Sequence, residues 1–295
     1  MAPPNPARIA GIEFVEYSTS APQALGHVLE QMGFRPVARH RSREIRLYRQ
    51  GSMNIVVNSQ PGVVIGGEPL DEHPSISAIA LRVRDAPAAY QHVLERGGWE
   101  VPMHGRAMEL NIPGIHGPAG AHIYFVDQQR DFSIYDIDFS PIPTVATDVP
   151  AVAGMRFFGI VQYVGLGRTN DWCEFYGGLM SFRVLGEEER YGILPRGTLL
   201  ASPGSEFLIQ LVEPDPATML YDDEESFHHI GIGAPDIPAA VAMLQQRGVE
   251  FVDAKSPEAA SRGALTRSYL HTVAFELVKD TRDLGDLPPG AGAST

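Results

Sequence analysis

Four short segments in the first half of this 295-residue chain recur in its second half at a nearly constant distance. Two recur at an offset of 148 residues (159 − 11 and 180 − 32) and two at an offset of 151 residues (236 − 85 and 247 − 96). The pairs are residues 11–15 with 159–163, 32–35 with 180–183, 85–89 with 236–240, and 96–97 with 247–248. Such a repeat constrains the architecture before any local propensity is considered, and it indicates two copies of one structural module.

The repeat predicts two modules joined by a linker. We expect an N-terminal module over residues 1–140, a linker over residues 141–152 and a C-terminal module over residues 153–295. Three prolines fall in the linker, where proline favours an extended backbone. Each module then has the size of an ordinary domain that buries its own core.

The composition excludes several classes of protein. Lys and Arg number 23 against 36 Asp and Glu, a formal net charge of −13, whereas nucleic-acid-binding surfaces are built from clustered cations. The single cysteine, Cys173, excludes an intrachain disulfide or a cysteine-based zinc site and fits a reducing compartment. No apolar stretch reaches the roughly 20 residues that span a bilayer, and the N-terminus lacks the order of a secretory signal. We expect a cytoplasmic protein with no nucleic-acid or membrane partner.

Strands and helices follow each other in the same order in both halves. Helices are predicted near residues 21–32, 86–96, 170–179 and 237–247. Asp85 and Asp236 are the expected N-caps of the second helix of each half. Apolar segments between the helices predict strands, including one near residues 133–139. A mixed, mostly antiparallel sheet with segregated helices is typical of the α+β class, and no glycine-rich phosphate loop opens any of the helices.

Several longer segments carry a resemblance to a known family. In the first half they are EFVEY at 13–17, LYRQG at 47–51, ELNIP at 109–113 and SIYDIDF at 133–139; in the second half they thin to residues 175–176, 182–183, 229–230 and 275–277. With these segments and its twice-duplicated element order, the chain resembles the 4-hydroxyphenylpyruvate dioxygenases of the vicinal oxygen chelate superfamily. The fold that this resemblance implies is two tandem modules, each built from paired βαβββ units that form a half-open barrel.

The resemblance also implies a metal site in the C-terminal module, where the family binds iron(II) with two histidines and one glutamate. The matching positions are Gln162, His229 and Glu276, so Gln162 stands where the family has histidine. On strand alternation, His229 shares a face with two glycines that leave open space. The N-terminal module lacks such ligands and is expected to be structural.

The repeat gives each of these three positions a counterpart in the first half. Gln162 corresponds to Phe14 at the offset of 148 residues (162 − 14), and His229 corresponds to Ala78 at the offset of 151 residues (229 − 78). The strand pattern aligns Glu276 with Asp136.

Gln162 admits two interpretations. In one, its amide oxygen binds the metal, as glutamine does in glyoxalase I and methylmalonyl-CoA epimerase relatives. In the other, it is a polar residue that lines the barrel, and the site holds metal weakly or not at all, because an amide is a weaker donor than imidazole. The expected metal is Fe(II), with Mn, Co, Zn, Ni or Mg as alternatives.

Three further polar residues are candidates for roles around this site. Gln210 and Arg267 are predicted substrate contacts, and His271 is the predicted catalytic base. Only 19 residues follow Glu276 (295 − 276), in a tail rich in Pro and Gly. The family's C-terminal helix has no counterpart there, so we expect a more open pocket or one that a second subunit of a homo-oligomer covers.

Three functions are compatible with the sequence. The first is a dioxygenase-like metalloenzyme that uses O2 and a small-molecule substrate, an aryl α-keto acid or a related compound. The second is a non-oxidative, metal-dependent isomerase, epimerase or lyase, because a Gln/His/Glu site suits Lewis-acid polarisation of a carbonyl. The third is a non-catalytic binding module descended from the enzyme.

Overall fold

The structure, a computed structural model, describes residues 7–60, 64–65, 68–102, 111–127, 133–186, 197–214, 225–254 and 256–280. The tail rich in Pro and Gly lies outside the described residues. No helix among the described residues is long and apolar enough to cross a membrane.

The N-terminal module is an open sheet of eight strands with the order β10-β2-β3-β4-β1-β7-β9-β8. Its elements are β1 (Ile9–Ser18), α1 (Pro22–Gln31), β2 (Arg35–His40), β3 (Ile45–Gln50), β4 (Met53–Asn58), β5 (Val64–Ile65), β6 (Glu68–Pro69), β7 (Ser75–Val83), α2 (Ala86–Leu94), β8 (Gly114–His116), β9 (His122–Asp127), α3 (Ile134–Asp138) and β10 (Phe139–Pro141). Strands β5 and β6 form a separate small ribbon.

The C-terminal module is an open sheet of seven strands with the order β12-β13-β14-β11-β15-β17-β16. Its elements are β11 (Arg156–Tyr163), α4 (Thr169–Met180), β12 (Arg183–Val184), β13 (Thr198–Ala201), β14 (Leu208–Val212), β15 (Ser226–Ala234), α5 (Ile237–Gln245), α6 (Pro257–Arg262), β16 (Gly263–Leu265) and β17 (Phe275–Lys279). Apart from β10, the strand order repeats that of the first module. The predicted α+β class with tandem modules is therefore confirmed, and both sheets are open.

One apolar core lies on the helix side of both sheets. A single cluster of buried side chains contains α1 residues such as Leu29, α4 residues such as Tyr176 and α5 residues such as Leu244. Two smaller clusters lie on the opposite faces, one around Phe14 and one around Phe158. We call the face of each sheet turned away from its helices the inner face.

The two modules are also joined by hydrogen bonds. The guanidinium Nε of Arg247 donates to the carbonyl oxygen of Gln31 at 3.1 Å. The Oγ1 atom of Thr272 donates to the carbonyl oxygen of Pro74 at 2.6 Å. Both contacts join the second half of the chain to the first.

The predicted N-caps are confirmed in both modules. The Oδ1 atom of Asp85 accepts a hydrogen bond from the backbone N–H of Ala88 at 2.9 Å, and Oδ1 of Asp236 accepts one from Ala239 at 2.9 Å. In each case proline follows the cap within the first helical turn. The cap satisfies a backbone donor that the helix itself leaves unpaired.

The prediction of a strand near residues 133–139 is wrong. The chain forms the short helix α3 there and enters the sheet only at Phe139. The reason is a capping box, in which Ser133 accepts from the backbone of the first turn and the Asp136 side chain accepts from the N–H of Ser133 at 3.2 Å. The spacing of Ser133 and Asp136 is the sequence signal for this helix.

The structural correspondence of the first strands differs from the repeat offset. In the N-terminal module Tyr17 pairs with Ile76, and in the C-terminal module Gln162 pairs with Phe227. Because Phe227 is the counterpart of Ile76 (227 − 76 = 151), Gln162 is the counterpart of Tyr17 at an offset of 145 (162 − 17). The predicted correspondence of Gln162 with Phe14 is wrong, since the C-terminal module has three extra residues (148 − 145) between this strand and the end of the next helix.

Glu276 also has a different counterpart. Glu276 pairs with Gly231 on β15, whereas Tyr124 pairs with Ala80 on β7, the equivalent strand. Tyr124 is therefore the counterpart of Glu276. The predicted alignment with Asp136 is wrong because that residue lies in α3, outside the sheet.

We predict that Asp236→Ala lowers the free energy of unfolding by about 1 kcal/mol, because the substitution leaves an N-terminal donor of α5 without its cap. Urea unfolding followed by far-UV circular dichroism measures the change. Asp253→Ala, which removes an exposed carboxylate, is the matched control and should stay within about 0.5 kcal/mol of the parent protein. An equal loss in both variants would contradict the capping role.

Candidate functional site on the inner face of the C-terminal sheet

Strand β15 divides its side chains between the core and the inner face. Ile230 and Ile232 belong to the apolar core that the helices cover. His229 and Gly231 alternate with them and therefore point to the inner face. This agrees with the strand alternation that predicted His229 on a face shared with two glycines.

The structure brings His229 and Glu276 together on this face. The Nε2 atom of His229 lies 3.9 Å from Oε2 of Glu276, and the two residues are 2% and 3% exposed. The Nε2 atom is buried and has no hydrogen-bond partner in the part of the chain that the structure describes. Burying such a nitrogen without a partner costs free energy, and a cation between imidazole and carboxylate would offset that cost.

His228 orients the imidazole of His229. The Nδ1 atoms of the two rings lie 2.7 Å apart, so one ring donates and the other accepts. His228 also stacks on Tyr163 with 4.2 Å between ring centroids. Burial, with a smaller contribution from the neighbouring His229, lowers the pKa of His228 to about 4. His228 is therefore neutral at pH 7, and its contact leaves Nε2 of His229 directed towards Glu276.

Gln162 is not brought together with this pair. Its Oε1 atom accepts a hydrogen bond from the hydroxyl of Tyr176 at 2.6 Å, and Tyr176 belongs to the helix-side core. Its Nε2 atom is buried without a hydrogen-bond partner among the described residues. The amide oxygen that would bind a metal is thus used to hold helix α4 on the sheet.

The inner face of β11 is formed by other residues. Val161 pairs with His229, and Gly159 pairs with Gly231. A Cβ atom added to Gly159 would clash with the carbonyl oxygen of Leu208, so a larger residue would need the strands to move apart. Neither a valine nor a glycine side chain binds a metal. The described residues fit a site with two protein ligands and do not fit the three-ligand set that the resemblance implies.

Gln210 lies on the same face as the pair. It pairs with Val161 on the adjacent strand β14, its neighbour Ile209 is in the helix-side core, and it is 8% exposed. A Cβ atom on Gly197 would lie 3.2 Å from its Nε2 atom, so the Gln210 amide packs over that glycine. The structure therefore places the Gln210 amide on the inner face, on the strand next to β11.

Arg267 and His271 lie elsewhere. Arg267 is exposed and forms an ion pair with Glu250, with 3.4 Å between Nη1 and Oε2. His271 is exposed in a turn with φ of 68°, and its ring packs against His73 of the N-terminal module with 4.9 Å between centroids. The structure groups neither residue with His229 and Glu276.

Arg156 and Asp280 form a buried ion pair that the sequence did not reveal. Their side chains are 16% and 3% exposed. Arg156 pairs with Gly233, and the carboxylate of Asp280 lies against that glycine. One charged residue at the start of an apolar strand and another just after the end of a second were the available signal, and the pair buries matched charges beside Gly233.

Comparisons with known proteins cover both modules. A family model described as the N-terminal part of hydroxyphenylpyruvate dioxygenase matches residues 4–140. A second model, for the glyoxalase/bleomycin resistance protein/dioxygenase superfamily, matches residues 166–266.

Curated relatives include two 4-hydroxyphenylpyruvate dioxygenases. The protein from Pseudomonas sp. (strain P.J. 874) is 38% identical over 61% of this chain and 51% of its own length. The protein from Pseudomonas aeruginosa is 30% identical over 97% of this chain and 83% of its own length. A 3-dehydroshikimate dehydratase from Pseudomonas putida is 29% identical over 85% of this chain, which is only 41% of the dehydratase.

Solved structures share the fold. One is a fusion of a xylose isomerase-like TIM barrel with 4-hydroxyphenylpyruvate dioxygenase. Its TM-score is 0.73 at 23% identity, and the match covers 95% of this chain and 50% of the fusion protein. A Mn(II)-bound glyoxalase from Novosphingobium aromaticivorans has a TM-score of 0.57 at 13% identity and covers 92% of this chain and 82% of its own. The 30% identity to the Pseudomonas aeruginosa protein over nearly the whole chain, together with the two family models, shows that the chain belongs to the hydroxyphenylpyruvate dioxygenase family within the glyoxalase/bleomycin resistance protein/dioxygenase superfamily.

Proposed function

We propose that the protein is a metal-dependent enzyme that acts on an aryl α-keto acid or a related carbonyl compound at the inner face of its C-terminal sheet. The observation that carries the proposal is the buried Nε2 atom of His229, which faces the Glu276 carboxylate at 3.9 Å and lacks a hydrogen-bond partner within the described residues. The substrate class is supported by the names of the relatives from Pseudomonas.

His229 and Glu276 would hold the metal. Imidazole and carboxylate together suit Fe(II), Mn(II), Co(II), Ni(II) or Zn(II), whereas Mg(II) prefers oxygen ligands alone. When bound, the cation would polarise the substrate carbonyl and, as iron, would supply the electrons that reaction with O2 requires.

The surrounding residues would bind and orient the substrate. Gly231 lies on the same face as His229 and carries no side chain, and a Cβ atom added to it would meet no atom closer than 3.5 Å, which would leave a flat substrate room beside the imidazole. Gln210 offers one amide donor and one amide acceptor on that face. His228 fixes the imidazole ring by the contact between the two Nδ1 atoms, so Nε2 is presented in one orientation.

Oxidative turnover is the first candidate reaction, since a relative that covers 97% of this chain is a 4-hydroxyphenylpyruvate dioxygenase. A non-oxidative reaction is the second candidate. It is favoured by β11, whose inner face offers Gly159 and Val161 in place of a third ligand. Polarising a carbonyl requires only a bound Lewis acid, whereas the iron oxygenases of this type use a facial set of three protein ligands.

Cover of the inner face by a second subunit remains a prediction. Residues 281–295, where the sequence shows no counterpart of the family's C-terminal helix, lie outside the described residues. Light scattering of the purified protein measures whether it forms a homo-oligomer.

We predict that His229→Ala loses stoichiometric Fe(II) or Mn(II) after dialysis, together with all turnover of 4-hydroxyphenylpyruvate or phenylpyruvate. His27→Ala, which removes an exposed imidazole on α1, is the matched control and should retain both. Metal is measured by elemental analysis, and turnover by substrate loss alongside O2 uptake. Substrate loss matched by O2 supports the first reaction, and substrate loss without O2 supports the second. Unchanged metal and turnover in His229→Ala would contradict the site.

We also predict different effects of two histidine substitutions on β11. Val161→His places an imidazole opposite His229 and should tighten Mn(II) binding by about tenfold or more, because a third strong ligand joins the site. Gln162→His should leave Mn(II) affinity within about twofold, since this position packs against Tyr176. Isothermal titration with Mn(II) measures both. Tighter binding by Gln162→His alone would show that the first interpretation of Gln162, as a ligand, is right.

A further inference from the structure

The inner face of the N-terminal sheet lines a cavity of about 430 Å³. A volume in this range is typical of sites for small molecules. Phe14, Val56 and Tyr124 line it from β1, β4 and β9. The cavity is therefore the N-terminal counterpart of the face that carries His229 and Glu276, although the lack of metal ligands led us to expect a structural module here.

Glu16 forms a polar wall of this cavity. Its Oε1 atom accepts hydrogen bonds from Nδ2 of Asn58 at 3.1 Å and from Oγ of Ser77 at 3.0 Å. Its counterpart in the other module is Val161, which shows that the fold itself does not require a carboxyl group at this position. A carboxyl group held here costs more desolvation free energy than valine, and a ligand that donates to it would offset that cost.

Other polar groups are arranged around the same space. The Nδ1 atom of His122 lies 3.0 Å from the hydroxyl of Tyr124, and both residues line the cavity. Burial lowers the pKa of His122, so its ring is neutral at pH 7. Burial also raises the pKa of Glu16, against the lowering effect of Asn58, Ser77 and Arg43. The polar groups are thus suited to hydrogen bonds with a neutral partner.

The apolar walls are largely aromatic. Phe14 and Tyr124 lie with 6.4 Å between ring centroids at 41°, and Tyr135 and Phe139 with 6.0 Å at 64°. All four line the cavity. Aromatic rings at such separations favour tilted and edge contacts with a further ring, so a flat aromatic ligand fits these walls better than an aliphatic one of equal size.

The charges of the lining argue against an anionic ligand. Among the described residues that line the cavity, Glu16 and Asp138 carry carboxyl groups, Arg43 carries a guanidinium, and His40, His116 and His122 carry imidazoles. Two carboxyl groups accompany one guanidinium, and the guanidinium already acts on Glu16. An added carboxylate would meet no excess of positive charge and would lose its hydration.

We propose that the N-terminal cavity is a second binding site, for a small uncharged hydroxy-aromatic compound whose ring packs against Phe14, Tyr124 and Phe139 and whose hydroxyl donates to Glu16. The site is formed by the N-terminal module alone and does not depend on the function proposed for the C-terminal module. It gives that module a binding role beyond support of the fold.

Isothermal titration with resorcinol tests the proposal, because this probe is flat, neutral, dihydroxylated and not a chelator. The full chain and its His229→Ala variant should both bind one resorcinol with equal affinity, which separates this site from the C-terminal site. Benzoate and 1,3-cyclohexanediol, the anionic and the non-aromatic analogues, should bind at least tenfold more weakly. No saturable binding of resorcinol, or tighter binding of either analogue, would overturn the proposal.

Two variants locate the binding. Val56→Trp fills the cavity and should abolish resorcinol binding, and Glu16→Gln should weaken it at least fivefold. Glu44→Gln, at an exposed position, is the matched control and should bind as the parent chain does. Circular dichroism checks that each variant folds. If Val56→Trp does not fold, the affinity of the nearly isosteric Glu16→Gln decides whether resorcinol binds in this cavity. Unchanged affinity in Glu16→Gln and in folded Val56→Trp would place the ligand elsewhere and overturn the proposal.

Discussion

The antiparallel register of β11 against β15 decides what chemistry the C-terminal module presents. Val161 lies opposite His229, and the ladder then shifts so that Gln162 lies opposite Phe227. A one-residue change of register would exchange the two faces of β11. An equivalent irregularity follows Glu16 in the first module, so both sheets use it to set which side chains reach their inner faces.

This common frame carries two different inner faces. In the C-terminal module, the central strands carry Gly159, Val161 and Gly231 on this face beside the buried pair His229 and Glu276. In the N-terminal module, the same strands carry Phe14 and Glu16, and the face becomes an aromatic cavity with a carboxyl group in its wall. These differences leave the largest apolar core unchanged, because that core lies on the helix side of both sheets.

Much of the fold could be predicted from the sequence, because the repeat, the Asp85 and Asp236 caps and the apolar strands are local signals. The prediction of a strand across Ser133 was wrong, and the reason is also a local signal: the capping box favours a helix more strongly than the apolar pattern favours a strand. The register of β11 could not be predicted in this way. The offset of 148 residues applies at the ends of α1 and α4. Nothing in the sequence marks the three extra residues that lie between β11 and the end of α4.

The same distinction applies to the site. His229 could be assigned to the inner face by alternation alone, and its neighbour Glu276 by the family pattern. The role of Gln162 depends on Tyr176, a residue on a helix packed across the sheet, and such a contact is tertiary. Arg267 and His271 were placed near the site by their position in the chain, whereas their side chains contact Glu250 and His73.

Anomalous diffraction from crystals soaked with Mn(II) tests the central claim most directly. We expect one strong peak between Nε2 of His229 and the Glu276 carboxylate, with Gln162 still bonded to Tyr176. A fully loaded crystal with no peak at this pair, or a peak with Gln162 as a ligand, would contradict the account.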